Sequence, residues 1–185
     1  WRNGRRQLLE CLRASSIPLA PFLQALFVSP PQRVPGTAMF LTSTPDATPH
    51  ALLHSLKHFR ALHERNVFMT VVFLEVPWVA SEDRVLCEDL GHDCWRVTVR
   101  YGFMNRPDVG AALELCGPSG LQLEPMDVSY FLSREQLVPS GNRKGLLARW
   151  SENLFAAMAR NAGNVTDFFN IPANRVVELG TRVAI

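Results

Sequence analysis

The chain has 185 residues, 47% of them apolar, with 19 lysines and arginines against 17 acids. That is enough for one compact domain with its own core and too little for two. The small net charge of +2 gives no basis for a nucleic-acid-binding surface, and the longest apolar runs, such as "VVFLEV", fall far short of the roughly 20 residues a spanning helix needs.

The opening "WRNGRRQLLECLR" sets Arg2, Arg5 and Arg6 behind Trp1 and follows them with a helical repeat of Leu8, Leu9 and Leu12. Two readings compete: a segment leaving a membrane on its cytoplasmic side, and a solvated amphipathic end helix. Residues 15 to 36 are rich in proline and apolar groups, which predicts an extended connector with one short helix around Phe22 to Phe27, packed on the domain. From "TAMFLTS" the pattern becomes regular. An apolar strand leads to a helix with Thr48 as N-cap and Pro49 in its first turn, and then to a second strand, "VFMTVVFLEV". Such a βαβ unit has parallel strands joined by a right-handed crossover, and its near-continuous apolar strands call for cover on both faces.

A hairpin follows, turning at Gly91, His92 and Asp93, with Trp95, Val97, Val99 and Tyr101 alternating against Cys94, Arg96, Thr98 and Arg100. A helix beginning at Pro107 carries Val109, Ala112, Leu113 and Cys116 to a stop at Gly117 and Pro118. The strand "VSYFLSRE", the polar loop "PSGNRKG", a long helix with the stripe Leu147, Trp150, Leu154 and Met158, and a final strand "RVVELGTRVAI" complete the order. The expected class is α/β: a mixed β-sheet with flanking helices, its βαβ unit followed by a β-hairpin, helix, strand, long helix and C-terminal strand.

Four cysteines, Cys11, Cys87, Cys94 and Cys116, stand at wide spacings without a C-x-x-C pair or a secretory leader, which points to free thiols in a reducing compartment. Histidines invite more suspicion, because "HALLHSLKHFRALHER" spaces His50, His54 and His58 four residues apart. Helical rise puts His50 and His58 roughly 12 Å apart along the axis, so one ion cannot take all three. On a helical wheel Leu52, Leu56, Phe59 and His63 share the inward side while His54 and His58 face away, and His63 reads as a hydrogen-bonded core residue. No metal site and no cofactor are expected, and no dinucleotide, Walker or nucleophile-elbow motif offers a seat for catalysis.

A weaker candidate site gathers Arg100, Tyr101 and Arg106. The arginines and a stacking ring would stand beside the helix start at Pro107, whose free N–H groups suit a phosphate. The alternative is that arginines of this strand form ordinary surface bridges to Asp89, Asp93 or Asp108.

Whole phrases go further than these motifs. "RVPGTAMFLTS", "HALLHSLKHFRALHER", "RYGFMNRPDV", "MDVSYFLSRE" and "RNAGNVTDFFNIPANRVVELGTRVAI" resemble, in order, the C-terminal cytosolic domain of KUP/HAK/KT potassium transporters. Arg182 replaces a usual glutamine and Ala184 a usual acid, which puts any salt bridge from the last strand in doubt. The resemblance implies a juxtamembrane or linker segment over residues 1–32 and a cytosolic regulatory domain over 33–185. The intact protein would be a potassium:proton symporter in the bacterial inner membrane, with its ion path in helices absent from this chain. The implied role is regulation and assembly, not catalysis. Expected partners are the transmembrane domain, a second copy in a homodimer, and an anionic lipid surface near Arg2, Arg5 and Arg6. A nucleotide such as cyclic di-AMP is the alternative ligand, and a free-standing α/β enzyme the more distant alternative.

Overall fold

The computed structural model describes residues 17–138 and 165–184. The arginines at 2, 5 and 6, the loop "PSGNRKG" and the stripe from Leu147 to Met158 lie outside the described residues.

The elements run α1 (Leu19–Val28), β1 (Gln32–Thr42), α2 (His50–Phe59), β2 (Ala61–Leu74), α3 (Ser81–Arg84), β3 (Val85–Asp89), β4 (Cys94–Gly102), α4 (Val109–Glu114), β5 (Val128–Val138), α5 (Val165–Phe168) and β6 (Val176–Ala184). Six strands form one sheet in the order β3-β4-β2-β1-β5-β6. Every neighbouring pair is parallel except β3 with β4, so the expected mixed α/β sheet is present. The chain enters at β1, moves out through β2 to β4, then returns to the other side of β1 with β5 and β6. For right-handed crossovers that reversal of direction puts successive connections on opposite faces.

Side-chain alternation follows this plan. Met39, Val67, Val97 and Tyr101 enter one core with Val109 and Leu113 of α4. Ala38, Phe40 and Phe68 enter the other with Leu19 and Leu23 of α1 and Ala51 and Leu52 of α2. The Phe40 ring stacks between those of Phe68 and Phe131, with centroids 5.8 and 5.0 Å away. Burying a large apolar side chain contributes about 1.5–3 kcal/mol, so each core outweighs any single polar contact in the fold.

One polar contact nevertheless ties four elements together. The Arg33 guanidinium on β1 donates from Nη1 to the carbonyls of His63 (2.8 Å) and Glu64 (3.2 Å), and from Nη2 to that of His92 (3.0 Å). It also lies 5.1 Å from the Phe27 ring centroid, and Phe27 stacks on His92 at 4.2 Å. The end of α1, the start of β2 and the hairpin turn are thus referenced to one charged side chain, whose fork geometry suits several carbonyls at once.

Several local expectations need correction. Thr48 does not cap α2: Pro49 is the residue before the helix, no side chain caps it, and Thr48 instead donates its backbone N–H to Ile17. The helix stops at Phe59, where Arg60 turns left-handed (φ 54°) and donates its N–H to Leu56. His63 consequently lies on β2, and Phe59, assigned by the wheel to the inward side, is 65% exposed as the last residue before the turn. In the hairpin, Gly91, His92 and Asp93 all have positive φ. Cys94, on the hairpin face opposite Trp95, is fully buried, because the second core covers that face at the start of β4. Helix α4 begins at Val109, not at Pro107, and its cap is Asp108.

His63 sets a pH dependence. Its ring lies edge-on to Phe131 at 5.6 Å, and burial lowers its pKa from the ordinary 6.5. As pH falls through 6.5 the unfolded chain takes up this proton before the folded chain does, so stability is lost on the acid side and regained as pH rises. Denaturant titrations on either side of that pH should show the acid-side loss in wild type, and a smaller one in His63→Gln.

Candidate functional site

At the carboxyl edge of the sheet β2 and β4 finish together, with Leu74 opposite Gly102. The loops that follow are clamped to each other. A Cβ on Gly102 would lie 2.4 Å from the Pro77 carbonyl oxygen, so this position accepts only glycine without a backbone shift. Past it, the N–H groups of Phe103 and Met104 donate to the carbonyls of Val76 and Pro77, both at 3.0 Å. Asn105 closes the clamp: its Oδ1 accepts from the backbone N–H of Val79 at 3.0 Å and of Gly102 at 2.7 Å.

A second set of bonds locks this clamp to α4 and to the segment before β6. The Tyr101 hydroxyl donates to the Asp108 carbonyl (2.7 Å) and accepts from the Asp108 N–H (3.1 Å). The Asp108 carboxylate accepts from Ala111 N–H through Oδ1 and from Asn170 Nδ2 through Oδ2, both at 2.9 Å. The Val109 N–H donates to the Phe169 carbonyl. Arg84 covers the Tyr101 ring at 5.7 Å and donates to the Val79 carbonyl. Burial, the largest influence, pushes the Tyr101 hydroxyl above its ordinary pKa, so it remains a neutral donor.

The polar groups of Tyr101, Asn105 and Asp108 are engaged within the fold, while several large apolar side chains point out. Trp78 is 62% exposed, Phe103 66% and Met104 54%, with Val76, Phe73 and Phe168 also exposed at this end. Phe73 lies between the rings of Tyr101 and Phe168, each 6.1 Å away. Several large apolar side chains exposed together at one end of a sheet form the kind of patch that suits a contact surface.

The residues proposed for ligand binding are not brought together. Arg100 and Tyr101 are consecutive on β4, so they project to opposite faces: Arg100 pairs with Val72 in the register, and Tyr101 with Phe73. Tyr101 is 1% exposed and offers no open ring, whereas Arg106 is exposed in the loop. Nor does the helix start present an open phosphate cradle, since the N–H groups of Val109, Ala111 and Ala112 are taken by Phe169 and Asp108. Arg96 forms bridges, although to Glu88 (2.8 Å) and Asp46 (3.6 Å) instead of to Asp89, Asp93 or Asp108. On α2 the rings of His54 and His58 stack at 5.8 Å. Among the described residues, no group of three or more His, Cys, Asp and Glu side chains is placed to hold a metal ion, and no helix is long and apolar enough to cross a membrane.

Sequence reasoning missed Gly102, Asn105 and the Asp108–Asn170 bond. The signal was present in the phrases "RYGFMNRPDV" and "TDFFN", whose polar residues meet here although 62 positions separate Asp108 from Asn170.

The family model for the K+ potassium transporter C-terminal domain matches residues 35–185, and the chain belongs to that family. It is 54% identical over its whole length to the probable potassium transport system protein Kup 2 of Cupriavidus necator. It is 52% identical, again over its whole length, to the probable potassium transport system protein Kup of Nitrosospira multiformis. The chain spans 29% of the length of each of these relatives. No solved structure matches it.

Asn105→Ala should cost about 1–3 kcal/mol, because two donors lose their acceptor, while Asn105→Asp, which keeps an acceptor oxygen, should cost less. Gly102→Ala should cost a similar amount through the clash with Pro77. Chemical denaturation of the three variants checks both the order and the magnitudes.

Proposed function

We propose that this chain is the cytosolic C-terminal regulatory and assembly domain of a potassium:proton symporter that takes up K⁺ across the bacterial inner membrane. In this reading the domain lies on the cytoplasmic side, does not conduct ions and catalyses no reaction. The observation that carries it is the family match, reinforced by identity near one half along the entire chain to two relatives named as potassium transport proteins. The structure adds a physical argument. K⁺ passage needs a dehydrated cage of several oxygen ligands, whereas the described interior is two apolar cores.

The exposed apolar end of the sheet suits the assembly role. Trp78, Phe103 and Met104 meet the same three side chains of a second copy across a two-fold axis, and tethering of both copies to one membrane raises their effective concentration enough for a modest interface to be filled. Arg2, Arg5 and Arg6 sit at the membrane surface in this account, each attracted to anionic lipid by about 1 kcal/mol. The transmembrane part of the same transporter is the other partner. Cyclic di-AMP sensing is the weaker reading, because burial of the Tyr101 ring leaves Arg100 and Arg106 without their stacking partner.

In the intact transporter Phe103→Cys should cross-link to itself between two chains on mild oxidation, above the level of the native cysteines. Ser29→Cys, at the other end of the sheet, should not. Placing aspartate at both Phe103 and Met104 should lower potassium uptake severalfold at unchanged membrane content. Cross-linking of Phe103→Cys only to the transmembrane part would replace the dimer by an intramolecular contact, and unchanged uptake would remove the regulatory role from this surface.

A further inference from the structure

Two of the cysteines, distant in sequence, meet on one face of the sheet. Cys87 sits on the edge strand β3 directly opposite Val97, which belongs to the same core as Cys116 at the end of α4. The Cys87 side chain packs against that core, and Cys116 and Ser119 are the side chains that bear on its sulfur. Cys116 is fully buried, its Sγ 3.5 Å from the Ala112 carbonyl, whereas Cys87 is half-buried. Both are free thiols, as is the buried Cys94, which lies in the other core.

We propose that Cys87 and Cys116 form a peroxide-oxidisable dithiol, with Cys87 as the attacking sulfur and Cys116 as the resolving one. The asymmetry of the pair assigns the roles. Cys87 lies on a sheet edge where a small oxidant can reach it, and Cys116 waits behind it in the core. The Cys116 hydrogen bond lowers the Cys87 pKa to about 7, and the reciprocal bond together with burial raises that of Cys116, so the reachable sulfur is the one that ionises.

With hydrogen peroxide the Cys87 thiolate attacks one peroxide oxygen. The O–O bond breaks as an S–O bond forms, and the departing hydroxide leaves as water with the proton Cys87 had lost. The Cys116 sulfur then attacks the Cys87 sulfenic acid; an S–S bond forms as S–O breaks, and the hydroxyl leaves as a second water with the Cys116 proton. The two sulfurs give up two electrons, and the two peroxide oxygens receive them. The product ties the edge strand β3 covalently to the end of α4, on the wall of the core that includes Tyr101.

The test uses the intact transporter, purified under reductant, desalted and exposed to stoichiometric hydrogen peroxide, then alkylated and digested without reductant. The expected result is a peptide pair joined through Cys87 and Cys116, lighter by two hydrogens than the separate peptides and lost on reduction, with alkylation of both cysteines falling together. In Cys116→Ala the Cys87 sulfenic acid should persist and react with dimedone severalfold more than in wild type. The wild-type mapping stands by itself if that variant fails to fold. Both thiols remaining alkylatable overturns the proposal, as does Cys87 linked to any other cysteine or oxidised while Cys116 keeps its full alkylation.

Discussion

Met39 and Phe40 are neighbours on β1, yet each is buried in a different core. That double burial of one central strand is the constraint on which the rest of the molecule depends. β2 and β5 flank this strand in parallel, and parallel flanking strands require crossovers that return over the faces and bury both of them. Those crossovers leave every parallel strand ending on one side of the sheet. The loops gathered there are where this chain puts the features that its core has no use for.

At that side polar groups are drawn into the fold beside large apolar side chains that stay exposed. Asn105, Asp108, Tyr101 and Asn170 are consumed by backbone and side-chain partners within the fold. Trp78, Phe103 and Met104 are left in solvent on loops whose backbone the same bonds hold in place. A rigid apolar surface binds with less ordering cost than a loose one, so the internal polar network and the external apolar surface belong to one design. In the proposed reading both serve contact, and the chain spans less than a third of the length of its potassium transport relatives.

Much of this was legible in the sequence. The βαβ unit, the hairpin with its Gly91-His92-Asp93 turn and the order of later strands follow from apolar periodicity and turn residues, signals that depend only on near neighbours. Three kinds of feature were not legible. Helix limits moved where capping is decided by tertiary contacts: Asp108 accepts from both Ala111 and Asn170, which displaces the expected start at Pro107. Facing errors arose where one period was carried too far, as when His63 was placed on a helix that ends at Phe59. The third is facing along a strand: Arg100 and Tyr101, read together as candidates for one ligand, are consecutive on β4 and project to opposite faces. Nothing local marks Asn105 as the residue whose carbonyl oxygen serves two loops; only its place in a longer family phrase hints at it.

The central claim is that the carboxyl end of the sheet is a contact surface occupied in the assembled transporter. Hydroxyl-radical footprinting read by mass spectrometry tests it directly, comparing the transporter in its membrane with the same domain released from it by proteolysis. The account predicts that Trp78, Phe103 and Met104 are labelled severalfold less in the intact transporter, while exposed Phe59, on the last turn of α2, is labelled alike in both. Equal labelling of all four would contradict it.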